Sequence, residues 1–100
     1  MKVCYDKEAF NEAMEAAAWY EAQQDDLARR FLAKWKEAEN RMAADPEINR
    51  PFDGDLRKCR FEVFSHALVY RIIDPEILQV IAVMHQGRRP GYWKDHHSVD

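Results

Sequence analysis

The chain has 100 residues, of which 47% are hydrophobic and 33% are charged, and its net charge is −3. A chain of this length forms one domain with a single modest core, and its apolar fraction excludes intrinsic disorder. The longest apolar stretch, residues 77–84, is interrupted by Gln79 and is far too short to span a membrane.

The first predicted elements are a short strand and a helix. Residues 3–5 are β-prone, and Asp6 is a suitable N-cap for the helix that follows. In that helix the apolar residues recur at helical spacing, at positions Phe10, Ala13, Met14, Ala17 and Tyr20. We expect Trp19 and Tyr20 to lie in the core or in contacts between helices.

A second helix is predicted to begin after Asp25 or Asp26. Its apolar stripe has steps of three and four residues and consists of Leu27, Phe31, Trp35, Ala38 and Met42. The link between the two helices is very short, so we expect them to pack as an antiparallel hairpin. Asp45-Pro46 ends the second helix, because the residue before a proline is pushed out of the α region.

After a loop at residues 49–55 the apolar period changes from helical to alternating. The inward positions of this half-buried strand are Cys59, Phe61 and Val63, which alternate with Lys58, Arg60 and Glu62. Residues 67–73 and 77–84 are nearly continuous apolar runs, typical of central strands buried on both faces. The intervening segment, residues 74–76, predicts a tight hairpin.

The predicted order is therefore strand, helix, helix, strand, strand, strand. This order indicates a single α+β domain over residues 1–100, with a helical hairpin on one face of a mainly antiparallel sheet. Residues 1–8 lack the apolar segment of a secretory signal, and we expect a cytoplasmic protein. Its cysteines, Cys4 and Cys59, could form one bridge, but two buried thiols fit a reducing compartment better.

Charge is distributed unevenly along the chain. Residues 1–26 contain two lysines and seven acidic residues, whereas residues 57–60 contain three cations and no acid. Residues 85–94 contain three further cations and no acid, at Arg88, Arg89 and Lys94. The isoelectric point near 5.8 argues against a general nucleic-acid binder. Two basic clusters on an acidic body are consistent with an anionic target that is met at one site, or with solvated surface runs.

The sequence contains no recognisable metal or cofactor motif. His85, His96 and His97 lie near the end of the chain, but they lack the spacing and the cysteine ligands of a structural zinc site. The chain also has no Gly-rich phosphate loop and no nucleophile elbow. We therefore expect neither a metal nor a cofactor.

Several motifs, together with the element order, resemble the RelE/ParE toxins of bacterial type II toxin–antitoxin systems. They are Phe31-Leu32, Asp45-Pro46, Val-Tyr-Arg-Ile at residues 69–72, and the final run at residues 81–93, which ends in Pro-Gly-Tyr-Trp. The resemblance extends over essentially the whole chain. One departure is that Phe64 is followed by Ser65, where one branch of the family often has a Phe-Pro pair.

The resemblance implies a growth-inhibiting toxin that is neutralised by a cognate antitoxin. The antitoxin would lay an amphipathic helix or an extended segment across the helical hairpin and the open sheet face. One branch of the family cleaves messenger RNA on the ribosome, and the other poisons DNA gyrase. A third alternative is a degenerate toxin that serves only in a repressor complex with the antitoxin.

For the ribonuclease branch the resemblance assigns roles to individual residues. Lys58 and Arg60 match its two RNA-binding cations, and Arg89 is a further candidate phosphate ligand. The candidate catalytic residues are His85, Arg88 and Tyr92. An arginine that this branch carries in the middle strand is Ala67 here, which favours the non-enzymatic alternatives.

The residues themselves also permit structural interpretations. His85 ends a buried strand and suits a hydrogen-bonded structural role as well as a catalytic one. Tyr92 and Trp93 are typical of packing residues that fix the end of the chain to the sheet. Lys58 and Arg60 are two apart on a strand and share its solvent face, so we predict a working surface there, joined by the tail at residues 88–92.

Overall fold

The computed structural model describes residues 1–87 and 91–96. The elements in chain order are β1 (Lys2–Tyr5), α1 (Lys7–Gln23), α2 (Leu27–Ala44), β2 (Arg57–Arg60), β3 (His66–Asp74), β4 (Ile77–His85) and α3 (Trp93–His96). The predicted α+β class and the order of the first six elements are confirmed. The short helix α3 was not predicted from the sequence. No helix in the described part of the chain is long and apolar enough to cross a membrane.

The sheet has four strands in the order β1-β4-β3-β2. β1 runs parallel to β4, whereas β3 is antiparallel to both β4 and β2. The two apolar runs therefore occupy the central positions, as predicted. The hairpin between them is closed at Asp74, whose Oδ1 accepts a hydrogen bond from the backbone N–H of Glu76 at 2.8 Å.

Strand β4 contains an irregularity that decides which face its last residues take. Val69 pairs with Ala82 and Tyr70 pairs with Val80, so Ile81 is an extra residue in β4. Such a bulge shifts the alternation of side chains by one position. As a result Val80 and Val83 both lie in the core on the helical side of the sheet.

Helix α1 meets the sheet through its small residues. Its buried positions are Ala9, Ala13 and Ala17, spaced four apart. Phe10 and Met14, which we predicted to face the core, are 47% and 44% exposed. Because these three alanines lie along one side of α1, the helix backbone approaches the sheet closely. The larger side chains of Phe10 and Met14 are displaced to the flank of the hairpin.

Helix α2 contributes a fully buried aromatic ring to the core on this side. Phe31 is fully buried and contacts four rings, those of Tyr20, Phe61, Phe64 and His66. Trp35 is partly buried, and its indole Nε1–H donates to the hydroxyl of Tyr5 at 2.7 Å. Trp19 is 60% exposed, so the prediction that it lies in the core is wrong.

Strand β2 is shorter than the alternating pattern predicted. It ends at Arg60, and the N–H of Phe61 donates to the carbonyl of His66 at 2.8 Å across the turn. Val63, predicted to face inward, is 78% exposed and has a φ of 74°. The ring of Phe64 packs against the core in its place, because the turn reverses the chain before the alternation reaches Val63.

The face of the sheet opposite the two long helices is also covered in part. A second apolar cluster lies there, formed by Leu56, Ala67, Val69, Ile81, Ala82, Met84, Tyr92 and Trp93. Tyr92 and Trp93 therefore pack under the sheet, and the central strands are buried on both faces. Both thiols are free; Cys59 is buried, whereas Cys4 is only half-buried.

Candidate binding site

The basic residues of β2 lie at an edge of the sheet, beside the face that α1 and α2 leave uncovered. Cys59, which lies between Lys58 and Arg60 in the strand, is buried on the helical side, where its Sγ contacts the carbonyl oxygen of Ala38 at 3.5 Å. Because neighbouring side chains of a strand alternate, Lys58 and Arg60 share the opposite face. There they border a cavity of about 550 Å³, together with Met84, Gln86 and Trp93.

The aromatic side chains of Phe52 and Trp93 lie next to Lys58 and Arg60. The Nζ of Lys58 lies 4.7 Å from the centroid of the Phe52 ring. Phe52 packs edge-on against Trp93 at 5.8 Å and remains 42% exposed. A cation over a partly exposed ring provides both charge and a flat apolar surface to a ligand.

The loop that carries Phe52 is fixed against the middle strand. The hydroxyl of Tyr70 donates to the carbonyl of Pro46 at 2.6 Å and accepts from Asn49 Nδ2 at 3.2 Å. Arg57 Nη1 donates to the carbonyl of Asn49 at 2.6 Å. Burial raises the pKa of the Tyr70 hydroxyl above its usual value, so it stays protonated and keeps its donor at neutral pH.

A carboxylate lies on the rim of the same cavity. Asp53 forms an ion pair with Lys94 at 3.2 Å, which links the loop to α3. Both side chains are partly exposed, so this pair is expected to add little stability. The carboxylate of Asp53 offsets the charge of Lys94 and leaves the charges of Lys58 and Arg60 for a ligand.

Arg41 of α2 is a further cation beside β2, and it was not identified from the sequence. Its Nη2 donates to the carbonyl of Arg60 at 2.5 Å, and its Nη1 lies 3.8 Å from a carboxylate oxygen of Glu62. A cavity of about 520 Å³ at the edge of β2 is bordered by Arg41, Lys58, Arg60 and Ile48. Helical spacing places Arg41 near the end of α2, but only the fold brings it beside β2.

His85 lies on the other side of the sheet. It pairs with His66, and the centroids of the two rings are 5.0 Å apart. His66 in turn contacts Phe31, at the centre of the core under the helices. The sequence analysis grouped His85 with Lys58 and Arg60. In the structure the sheet lies between His85 and these two cations, because the bulge in β4 reverses the face on which its last residues lie.

Of the other predicted site residues, the structure describes Tyr92. Tyr92 is 4% exposed and packs against Trp93 in the cluster beneath the sheet, as the packing interpretation predicts. Arg88 and Arg89 lie outside the residues that the structure describes. Of the six predicted site residues, the structure therefore brings Lys58 and Arg60 together at one cavity.

The residue opposite Arg60 on the neighbouring strand β3 is small and apolar. Ala67 is the register partner of Arg60 across β2 and β3 and is 1% exposed. This is the position at which the resemblance to the ribonuclease branch calls for an arginine. The site offers cations, the half-exposed ring of Phe52 and the apolar side chains of Met84 and Trp93, a combination suited to holding an anionic surface. Within the described residues, no group of three His, Cys, Asp or Glu side chains could hold a metal ion.

Comparison with known proteins identifies the family. Residues 3–90 match the family model described as the ParE toxin of the type II toxin–antitoxin system parDE. A solved structure of the chromosomal ParDE toxin–antitoxin system from P. aeruginosa has a TM-score of 0.63 and 12% identity, and the match covers 85% of this chain and 95% of that chain. At this identity the likeness concerns the fold alone. No curated protein matches the chain. The family match extends over most of the sequence, and the chain belongs to the ParE toxin family of type II toxin–antitoxin systems.

Proposed function

We propose that this protein inhibits bacterial growth by binding a target and not by cleaving RNA. The observation that carries the proposal is the separation of His85 from Lys58 and Arg60 by the sheet. Metal-independent RNA cleavage needs a proton donor or acceptor within hydrogen-bond reach of the phosphate that the cations hold. With His85 on the helical side and Tyr92 buried, the described cations support binding of an anionic surface better than catalysis.

The target we propose is DNA gyrase in the cytoplasm. In the RelE/ParE family the branch without RNA cleavage poisons gyrase, and the match here is to the ParE model. Ala67 supports the same choice, because it removes a cation that the ribonuclease branch carries beside Arg60. Ribosome-bound messenger RNA remains the alternative target, supported by the cations and the exposed ring of Phe52.

We further propose that a cognate antitoxin neutralises the protein across two surfaces. An acidic segment would offset the charges of Lys58, Arg60 and Arg41. An amphipathic helix would cover the flank of the hairpin, where Phe10 and Leu32 are 47% and 39% exposed beside a cavity of about 260 Å³. Exposed apolar side chains of this size, grouped around one cavity, are typical of protein contact sites.

The direct experiment compares the two activities of the purified protein in vitro. We expect inhibition of gyrase supercoiling, and no cleavage of ribosome-bound messenger RNA by primer extension. His85→Gln should leave gyrase inhibition unchanged, since the side chain lies on the other face of the sheet. Cleavage of messenger RNA that is lost in His85→Gln, with no effect on gyrase, would establish the ribonuclease alternative instead.

A further inference from the structure

Arg71 lies in the Val-Tyr-Arg-Ile segment of β3, and the candidate binding site described above does not include it. In this strand Leu68 and Tyr70 lie in the core on the helical side, whereas Val69 lies in the cluster beneath the sheet. Because neighbouring side chains of a strand alternate, Arg71 shares the face of Val69, opposite the two long helices. It is therefore a further cation on the face that carries Lys58.

A cavity of about 240 Å³ on this face is bordered by Arg71, and we call it the Arg71 cavity. Its apolar walls are formed by Leu56, Ile81 and Trp93. Trp93 and Lys94 also border the cavity of the candidate binding site, so the two cavities lie next to each other. The open face of the sheet consequently has a second place where a charged side chain meets apolar walls.

The guanidinium of Arg71 has no counter-charge in contact with it. Its Nε is buried without a hydrogen-bond partner, its Nη1 and Nη2 keep contact with solvent, and it forms no ion pair within the described part of the chain. Two carboxylates border the same cavity, but Asp53 pairs with Lys94 at 3.2 Å, and Asp55 is exposed and lies beyond ion-pair distance of Arg71. An arginine stays charged at physiological pH, so a partly buried one without a partner attracts an oxyanion.

The surroundings of Arg71 suit the carboxylate of a single side chain. Its Nη1 and Nη2 can donate in parallel to the two oxygens of one carboxylate. The walls of Leu56 and Trp93 can pack against the methylene groups of an acidic side chain. The carboxylates of Asp53 and Asp55 at the rim repel a run of phosphates more strongly than they repel one carboxylate.

Lys58 defines where a second carboxylate would bind. Lys58 is the register partner of Val69, and Arg71 is two residues farther along β3. The Cα atoms of such diagonal neighbours are about 7–8 Å apart. In an extended peptide, residues i and i+2 share a face and are about 7 Å apart, so two acidic residues with this spacing match the two cations.

We propose that the open face of the sheet binds an extended acidic segment of a protein partner, with one carboxylate on Arg71 and another, two residues away, on Lys58. The two acidic side chains enter the neighbouring cavities, while the backbone of the segment passes over Trp93 and Lys94. The proposal rests on the proposed function only in taking Lys58 as a residue that contacts a ligand.

The test is a titration of the isolated protein with two isomeric peptides, acetyl-Ala-Glu-Ala-Glu-Ala-amide and acetyl-Ala-Glu-Glu-Ala-Ala-amide. Binding is followed by the NMR signals of the arginine Nε–H groups. We expect a saturable shift at Arg71, with the first peptide binding at least about threefold more tightly, since the second can place one carboxylate on this face and loses the contact with Lys58.

Variants separate the guanidinium from a general attraction by positive charge. Arg71→Gln should weaken binding of the first peptide by about tenfold or more, with an unchanged Tm because no internal partner is lost. Arg71→Lys should be intermediate, since it keeps the charge and loses the paired donors. The matched control is Arg29→Gln in α2, where the side chain is 85% exposed and pairs with Asp26; this variant should bind as the wild type does.

Equal affinity for the two isomers, or wild-type affinity in Arg71→Gln, would overturn the proposal. Tighter binding of a thymidine pentanucleotide than of the acidic peptide at Arg71 would overturn the choice of a carboxylate. If Arg71→Gln does not fold, the shift of the Arg71 signal in the unchanged protein decides the question. Because the titration requires neither gyrase nor growth, its failure is distinguishable from a failure of the proposed function.

Discussion

Phe31→Ala tests the packing of the helical hairpin on the sheet. Phe31 is fully buried, and its ring centroid lies 5.1 to 5.4 Å from those of Tyr20, Phe61, Phe64 and His66. Removing a ring from such a site costs about 3–5 kcal/mol, of which part is the cavity that remains. A small domain is stable by about 5–15 kcal/mol, so the variant should lose a large share of its free energy of unfolding.

The assay is urea denaturation followed by circular dichroism, with thermal melting as a second measurement. For a domain of this size 1 kcal/mol corresponds to about 4–8 °C, so the Tm of Phe31→Ala should fall by about 12–40 °C. The matched control is Leu32→Ala, the next residue of α2, which is 39% exposed and should cost about 1 kcal/mol or less. Equal losses in the two variants would show that the buried face of α2 has been assigned wrongly.

Two further predictions concern the turn and the buried histidine. Val63→Gly should raise the free energy of unfolding by about 1 kcal/mol, because a β-branched residue is strained at a φ of 74°; unchanged or lower stability in urea would contradict this account of the turn. His66 has a folded pKa of about 4, below its usual 6.5, so the unfolded chain takes up the proton first as the pH falls. Stability should therefore decrease between pH 6.5 and 4, by up to about 3 kcal/mol, and this decrease should be absent from His66→Phe; the same pH dependence in both proteins would refute it.

The order of the elements and the central strands could be predicted from the sequence because each depends on local patterns. Proline after Asp45 ends α2, and the apolar runs at residues 67–73 and 77–84 identify strands buried on both faces. The contact face of α1 was harder to assign. Periodicity identified Ala13 and Ala17 together with Phe10, but it does not show that close approach of the helix backbone to the sheet selects the smaller residues.

The candidate site could be predicted only in part, for a physical reason that lies in β4. In a continuous apolar run nothing distinguishes one face from the other, so the extra residue at Ile81 left no mark on the pattern. That one residue decides on which side of the sheet His85 lies. Lys58 and Arg60, by contrast, alternate with buried neighbours, and their shared face follows directly from the sequence.

The aromatic and basic neighbours of these cations could not be found from the sequence at all. Phe52 is in a loop with no periodicity, and its place depends on two hydrogen bonds between that loop and the hydroxyl of Tyr70 in β3, which donates to the carbonyl of Pro46 and accepts from Asn49. Arg41 is on the polar face of a helix, where a cation is most often solvated. Long-range contacts of this kind are set by the fold and not by local sequence.

The central claim is that the protein is a toxin whose basic surface on β2 contacts the target. The most direct measurement is growth of bacteria after induced expression of the wild type, of Lys58→Ala with Arg60→Ala, and of Lys2→Ala with Lys7→Ala, at equal soluble levels. The last pair removes the same charge near β1, the opposite edge of the sheet. We predict growth arrest by the wild type and by the Lys2 and Lys7 variant, and normal growth with the Lys58 and Arg60 variant. Arrest by all three proteins would contradict the assignment of the surface, and normal growth with all three would contradict the toxin function itself.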